Sequence, residues 1–129
     1  MARILGIGTE ITECLRIARM IERHGEQFID RVYTAAEVRY CQARPQSTQH
    51  FAARWAAKQA ILKALGIASA RAARSEIEIR RAPSGGPTVA VRGAIKDLIE
   101  ERGVSEVLVT FSHCRMHATA YAIALGKEL

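Results

Sequence analysis

The stretch FAARWAAKQAILKALG, from Phe51 to Gly66, constrains the fold most. It reads as a strong helix closed by a glycine stop. On a wheel of 3.6 residues per turn, Phe51, Trp55, Leu62 and Leu65 line one face. Lys58 falls in the middle of that face, Arg54 at one edge, and Gln59 beside Trp55. Two readings fit polar groups inside an apolar stripe. Lys58 and Arg54 lay their stems on the core and lift their charges to water. Alternatively, the buried-side edge of the helix faces an anionic ligand.

The chain has 129 residues, 49% of them hydrophobic, enough for one domain over 1–129 with a real core. No uncharged apolar run approaches the roughly 18–20 residues of a membrane span, so no membrane role is expected. The opening MARILGIGTEI is too short and too strand-like for a signal peptide. Cys14, Cys41 and Cys114 are odd in number and far apart, which fits a reducing cytoplasm rather than a disulfide framework. His113 and His117 lie four apart, but at an expected turn, and no C-x-x-C is present; neither pattern predicts a metal site.

The net charge is +6, which favours nucleic acid, acidic proteins or phosphorylated small molecules as partners. The basic residues are scattered, and aromatics are only 5%, leaving few platforms for stacked bases. A nucleic-acid partner is therefore not expected, although a small basic nucleic-acid-binding domain is the third reading of the chain.

The pattern predicts an opening strand over Arg3–Ile11, in which Gly6 and Gly8 admit a close backbone or ligand. A helix over Thr12–His24 follows, then a helical turn over Gln27–Val32. Thr34-Ala-Ala-Glu37 is a capping box opening a helix through Cys41. The long helix covers Thr48–Leu65, and Ile67–Ser75 resists assignment. Ile77 and Ile79 mark a half-exposed strand paired through a Pro83–Pro87 turn with Thr88–Val91. A helix over Gly93–Arg102 precedes two strands, Glu106–Ser112 and Ala118–Leu125. The order β-α-α-α-β-β-α-β-β describes an α+β domain with a small antiparallel sheet packed on a long helix.

Three groups carry candidate chemistry. Glu10 leaves the end of a core strand, as a metal ligand or a cap for the next helix. Gln59 and Lys63 share a helix face with Ala52 and Ala56, small enough for a ligand to approach or for plain helix packing. Ser112-His113 ends a strand, but no Asp accompanies it to complete a Ser-His-Asp triad.

Taken together these pieces resemble one family. GIGTEITECLRI is similar to the opening G-I-G-x-D-I-x-E-x-x-R-I of the holo-acyl-carrier-protein synthases. RWAAKQAILKALG is similar to their signature W/F-A-A-K-E-A-x-x-K-A-x-G. The Glu76–Ile79 stretch with Gly85-Gly86-Pro87 resembles their D-I-E-V…x-G-x-P hairpin, and FSHCRMHATAYAIA their closing S-x-S-H-x-x-x-Y-A-x-A. Four motifs in order cover the chain nearly end to end.

The resemblance implies the 4′-phosphopantetheinyl transferase fold, assembled as a homotrimer with active sites between subunits. It implies transfer of the phosphopantetheine arm of coenzyme A to a serine of apo acyl carrier protein, a step of fatty acid biosynthesis that releases 3′,5′-ADP. It implies a magnesium ion on the pyrophosphate. By position, Glu10 and Gln59 would hold the metal, with Lys63 beside the reacting centre. Arg54, Lys58, Lys63, Gly66, Ser112 and His113 would meet coenzyme A. Arg16, Arg19 and Arg23 would meet the acidic carrier protein.

Three departures stand out. Glu10 replaces Asp, Gln59 replaces Glu, and Ile67-Ala68 replaces Thr-Gly. Hard cations favour carboxylates, so the first two predict weaker magnesium binding. The alternative they raise is an impaired paralogue that binds coenzyme A or a carrier protein without turning over.

Overall fold

A computed structural model describes residues 2–68 and 72–128. The chain runs β1 (Ala2–Glu13), α1 (Cys14–His24), α2 (Glu26–Val32), α3 (Ala35–Gln42), α4 (Ser47–Leu65), β2 (Ile77–Arg81), β3 (Pro87–Val91), α5 (Gly93–Glu101), β4 (Val104–His113) and β5 (His117–Lys127). A single 3₁₀ turn, Arg74–Glu76, precedes β2. The α+β class is the one the sequence predicts, but four helices rather than three precede the hairpin, because the helical turn expected over Gln27–Val32 is a seven-residue helix, α2. Part of the unassigned Ile67–Ser75 segment lies outside the described residues.

β1, β5 and β4 form an antiparallel sheet in that order, and β2 and β3 form a separate hairpin. β5 alternates small inward alanines (Ala118, Ala120, Ala122 and Ala124, all buried) with outward Thr119, Tyr121, Ile123 and Leu125. The small inward row lets α4 lie close to the sheet. On β1 the glycines do the same. A β-carbon on Gly6 would stand 1.9 Å from the Ala64 carbonyl oxygen, and one on Gly8 2.0 Å from that of Ala60. The close backbone predicted at these glycines is α4.

α4 is buried on nearly every side, from Phe51 through Leu65. A helix enclosed all round has no solvent face for a charge to escape to. The stripe drawn on the wheel is therefore only part of its contact surface. Lys58 and Arg54 do not lift their charges to water: they are 0% and 3% exposed.

The boundary between β1 and α1 moves by two residues. β1 continues through Glu13, two residues into the predicted first helix, because Thr12 and Glu13 pair in register with Ala118 and His117 of β5. Pairing outweighs the helical spacing of Cys14, Ile17 and Ile21, which resumes at Cys14. The capping box of α3 forms as predicted: Thr34 Oγ1 accepts from the Glu37 amide at 3.2 Å, and Glu37 Oε1 accepts from the Thr34 amide at 2.9 Å.

Candidate active site

Two polar clusters flank α4. The first joins β1 to the last turns of the helix. Glu10 sits on the inner face of β1 because side chains alternate along a strand, and this turns it towards α4. Lys63, on the last turn of α4, donates to Glu10 Oε1 and to the Thr9 carbonyl, each at 2.9 Å. The lysine is 54% exposed and the glutamate 12%, so the pair forms a rim with its cation in solvent. Thr12 donates to the other carboxylate oxygen at 3.2 Å. One turn earlier on the helix, Gln59 Oε1 accepts from Arg74 Nε at 2.6 Å.

Arg74 also lies over the Trp55 ring, 4.8 Å from its centroid, and Arg16 of α1 lies 5.7 Å from the same centroid. Burial, then the neighbouring Arg16 charge, depress the Arg74 guanidinium below its ordinary value. The Trp55 indole N–H is buried without an acceptor. Trp55, Phe28, Met20, Arg74 and Ser75 wall a cleft of about 690 Å³.

The second cluster gathers cations around Tyr40. Arg44 and Arg54 lie 3.3 and 4.0 Å from its ring centroid, and Arg81 donates to its hydroxyl at 2.8 and 3.1 Å. Burial acts to raise the Tyr40 phenol, but the Arg81 hydrogen bond and the three arginine charges outweigh it and lower it. His50 and His113 face each other at 4.8 Å, and His113 Nδ1 meets Gln49 Oε1 at 3.0 Å. Arg54 Nε is buried without a partner. Three guanidinium groups thus converge on one phenol ring, a concentration of positive charge to which the buried Arg54 contributes from within.

Lys58 belongs to neither surface, which corrects its assignment as a coenzyme A contact. It donates to Glu37 Oε1 at 2.6 Å, the Val32 carbonyl at 2.5 Å and the Arg74 carbonyl at 3.1 Å. An ammonium has three donors, and here all three are committed inside the protein. Burial pulls the Lys58 ammonium down, against the opposing pull of Glu37. Glu37 in turn accepts from the Ile79 amide at 2.9 Å. The pair ties α2, α3, α4, the 3₁₀ turn and β2 together.

The other predicted residues divide. Gly66 is the left-handed cap of α4, with φ 71°. Ser112 and His113 are neighbours on β4 and therefore point to opposite faces of the sheet: His113 faces the second cluster, while Ser112 is exposed. Arg16, Arg19 and Arg23 are exposed along α1 and line one shallow cleft. Arg74, Trp55, Tyr40, Arg44, Arg81, His50 and Gln49 were not singled out as site residues. Loop arginines give no periodic signal, and Tyr40 reads as an ordinary helix residue.

The donor set does not fit a magnesium site. Glu10 already carries Lys63, and Gln59 offers a neutral oxygen that holds a guanidinium. A divalent ion on that oxygen would sit beside Arg74; unit like charges about 4 Å apart repel by roughly 4 kcal/mol at an effective dielectric near 20. Among the described residues, no three His, Cys, Asp or Glu converge to hold a metal.

Residues 6–125 match the 4′-phosphopantetheinyl transferase superfamily. A holo-[acyl-carrier-protein] synthase of Rhodopirellula baltica is 47% identical over 120 residues, 93% of this chain and 96% of the relative. The crystal structure of holo-[acyl-carrier-protein] synthase from Neisseria meningitidis superposes with a TM-score of 0.85 at 31% identity, over 95% of this chain and 98% of that one. The Bacillus anthracis holo-(acyl-carrier-protein) synthase in complex with CoA (3′,5′-ADP) gives 0.77 at 26% identity, over 96% and 98%.

Proposed function

The chain belongs to the 4′-phosphopantetheinyl transferase superfamily, and from that premise we propose that it is a holo-acyl-carrier-protein synthase. It moves the 4′-phosphopantetheine arm of coenzyme A to a serine of apo acyl carrier protein. The serine oxygen forms a bond to the phosphorus that bears pantetheine, the pyrophosphate bridge breaks, and 3′,5′-ADP leaves.

The observation that carries this reading is the Lys63–Glu10 pair, a solvent-facing ammonium held at 2.9 Å by a carboxylate on the neighbouring strand. Lys63 donates to two oxygens and so acts as a cation that offsets charge on the reacting phosphoryl group. Glu10 is the acceptor in reach for the serine proton. The Tyr40 cluster, with Arg44, Arg54, Arg81 and His113, supplies cations for the nucleotide phosphates. Arg16, Arg19 and Arg23 form a basic edge on α1 for an acidic carrier protein. The magnesium implied by the family motif finds only Glu10 and Gln59 here, and no step above passes through it.

The working form is a homotrimer in the cytoplasm. The outer face of the three-stranded sheet carries exposed Ile7, Ile11, Leu108 and Tyr121, an apolar surface suited to a second copy. The two clusters flanking α4 would then serve one ligand from different subunits. Free Cys14, Cys41 and Cys114 suit a reducing compartment.

Gln59 favours one second reading, a binding module that holds coenzyme A without turnover. Intact mass spectrometry of apo acyl carrier protein, incubated with this protein and coenzyme A, separates the two. Transfer adds the phosphopantetheine mass, and Lys63→Ala lowers the rate by about 100-fold or more. No mass gain under any condition, with coenzyme A still bound, would leave the binding module.

A further inference from the structure

His113 is tied to α4 through one of its two ring nitrogens. Its Nδ1 meets Gln49 Oε1 at 3.0 Å, between residues 64 positions apart in the chain. Gln49 comes from the first turn of α4 and His113 from the last position of β4. The backbone of the histidine is fixed from the sheet side: it pairs with Ala118 of β5, and the Cys114 amide closes the turn on the His117 carbonyl at 2.9 Å. His50, the neighbour of Gln49 on the helix, sets its ring edge-on against the imidazole at 4.8 Å. Two consecutive side chains of α4 therefore clamp one ring.

An imidazole that is neutral carries its hydrogen on either nitrogen, and the partner of one nitrogen decides what the other can do. The carboxamide oxygen of Gln49 only accepts, so Nδ1 carries the hydrogen of this contact, and the contact survives when the ring takes a second proton. Nε2 is left over. Among the described residues no hydrogen bond reaches it, and the buried side-chain atoms without a partner are Arg54 Nε and Trp55 Nε1 alone, so Nε2 is open to a ligand. His50 carries the same array on to Tyr40, 5.7 Å away, where Arg44 and Arg54 lie on the phenol ring.

We infer that Gln49 is a positioning residue: by holding the Nδ1–H of His113 it turns Nε2 to the nucleotide end of coenzyme A, which that nitrogen hydrogen-bonds. The inference rests on the transferase reading above, which sets His113 with the Tyr40 cluster around the nucleotide. Gln49 touches no ligand and acts only through His113.

The test is a double-variant cycle read by calorimetry with coenzyme A, on the full chain and its Gln49→Met, His113→Ala and Gln49→Met/His113→Ala variants. Methionine keeps the length of the side chain and drops the acceptor. Gln49→Met should bind about three- to tenfold more weakly and His113→Ala about tenfold or more. The double variant should bind within about twofold of His113→Ala, because the two residues act as one unit. Equal affinity of Gln49→Met and the unaltered chain overturns the inference. So does a double variant in which the two losses multiply, since Gln49 would then act without His113. In turnover, Gln49→Met should raise KM for coenzyme A and leave kcat within about twofold; a fall in kcat at unchanged KM also overturns it.

Nitrogen NMR of the His113 ring gives a readout that loss of packing alone would not move. The neutral ring of the unaltered chain should carry its hydrogen on Nδ1. Gln49→Met should give a mixture of tautomers, and Gln49→Glu, which keeps an acceptor, should hold the hydrogen on Nδ1. Coenzyme A should shift the Nε2 resonance and leave Nδ1 nearly in place. A neutral ring with its hydrogen on Nε2 in the unaltered chain overturns the inference. If coenzyme A binds but adds no mass to apo acyl carrier protein, the transferase reading fails, and the same cycle still upholds or overturns the role of Gln49. An unaltered chain that does not bind coenzyme A overturns both.

Discussion

Lys58 shows how much one residue can mislead when read from spacing alone. Its position in an apolar stripe suggests a snorkelling or ligand-facing cation, yet among the described residues it is the most enclosed polar group. Removing one member of a buried ion pair strands the other, which costs about 3–5 kcal/mol. Lys58→Met should therefore lower stability by about that amount in urea unfolding, and adding Glu37→Gln should recover part of it. His50 carries the pH dependence. Burial, then His113 and the arginines Arg54, Arg44 and Arg81, depress its imidazole below the ordinary value of 6.5. The folded state thus binds fewer protons than the unfolded chain. Stability from this site is complete above about pH 6.5 and falls as pH drops through the depressed folded value. The urea midpoint should decline over that window, and His50→Gln should flatten the decline.

At the scale of elements, the contact between β1 and α4 decides the architecture. Gly6 and Gly8 face the alanine row of the helix so closely that the carbonyls of Ala64 and Ala60 occupy the space a side chain would need. The backbone cannot yield there without pulling α4 off the sheet. Gly8→Ala should cost more than about 3 kcal/mol, well beyond the propensity difference, and thermal melting would show it. The mirror case is Gly86, beside which a β-carbon meets nothing within 4 Å; Gly86→Ala should be close to neutral. Most elements were legible because their signals are local: the Thr34 capping box, the Gly66 cap, the Pro83–Pro87 turn. The length of β1 was not, since its last residues are held by partners more than a hundred positions away on β5.

At the scale of the molecule, one sheet face rests on α4 and the other carries exposed isoleucine, leucine and tyrosine. A surface of that kind on a basic protein calls for a partner. Light scattering at micromolar concentration should give three times the chain mass. Ile7→Asp with Tyr121→Asp should reduce it to the single-chain mass with the helical circular dichroism retained. A single-chain mass for the unaltered protein would refute the trimer. Among the described residues no helix is long and apolar enough to cross a membrane.

The sequence by itself determined the α+β class, most of the element order and the motifs that mark the family; it set Glu10 with Gln59, and only the structure pairs Glu10 with Lys63. The class, the order and the motifs rest on periodicity, caps and turns, which act over a few residues. Only the tertiary structure decided which charges are chemistry and which are scaffold. Lys58 and Lys63 sit five apart on one helix, yet one is sealed in the core and the other faces solvent beside β1. Arg74 and Tyr40 carried no signal until folding brought them against Trp55, Gln59 and Arg81. Burial is set by what packs on a helix from distant parts of the chain, and a wheel drawn from local spacing holds no record of that.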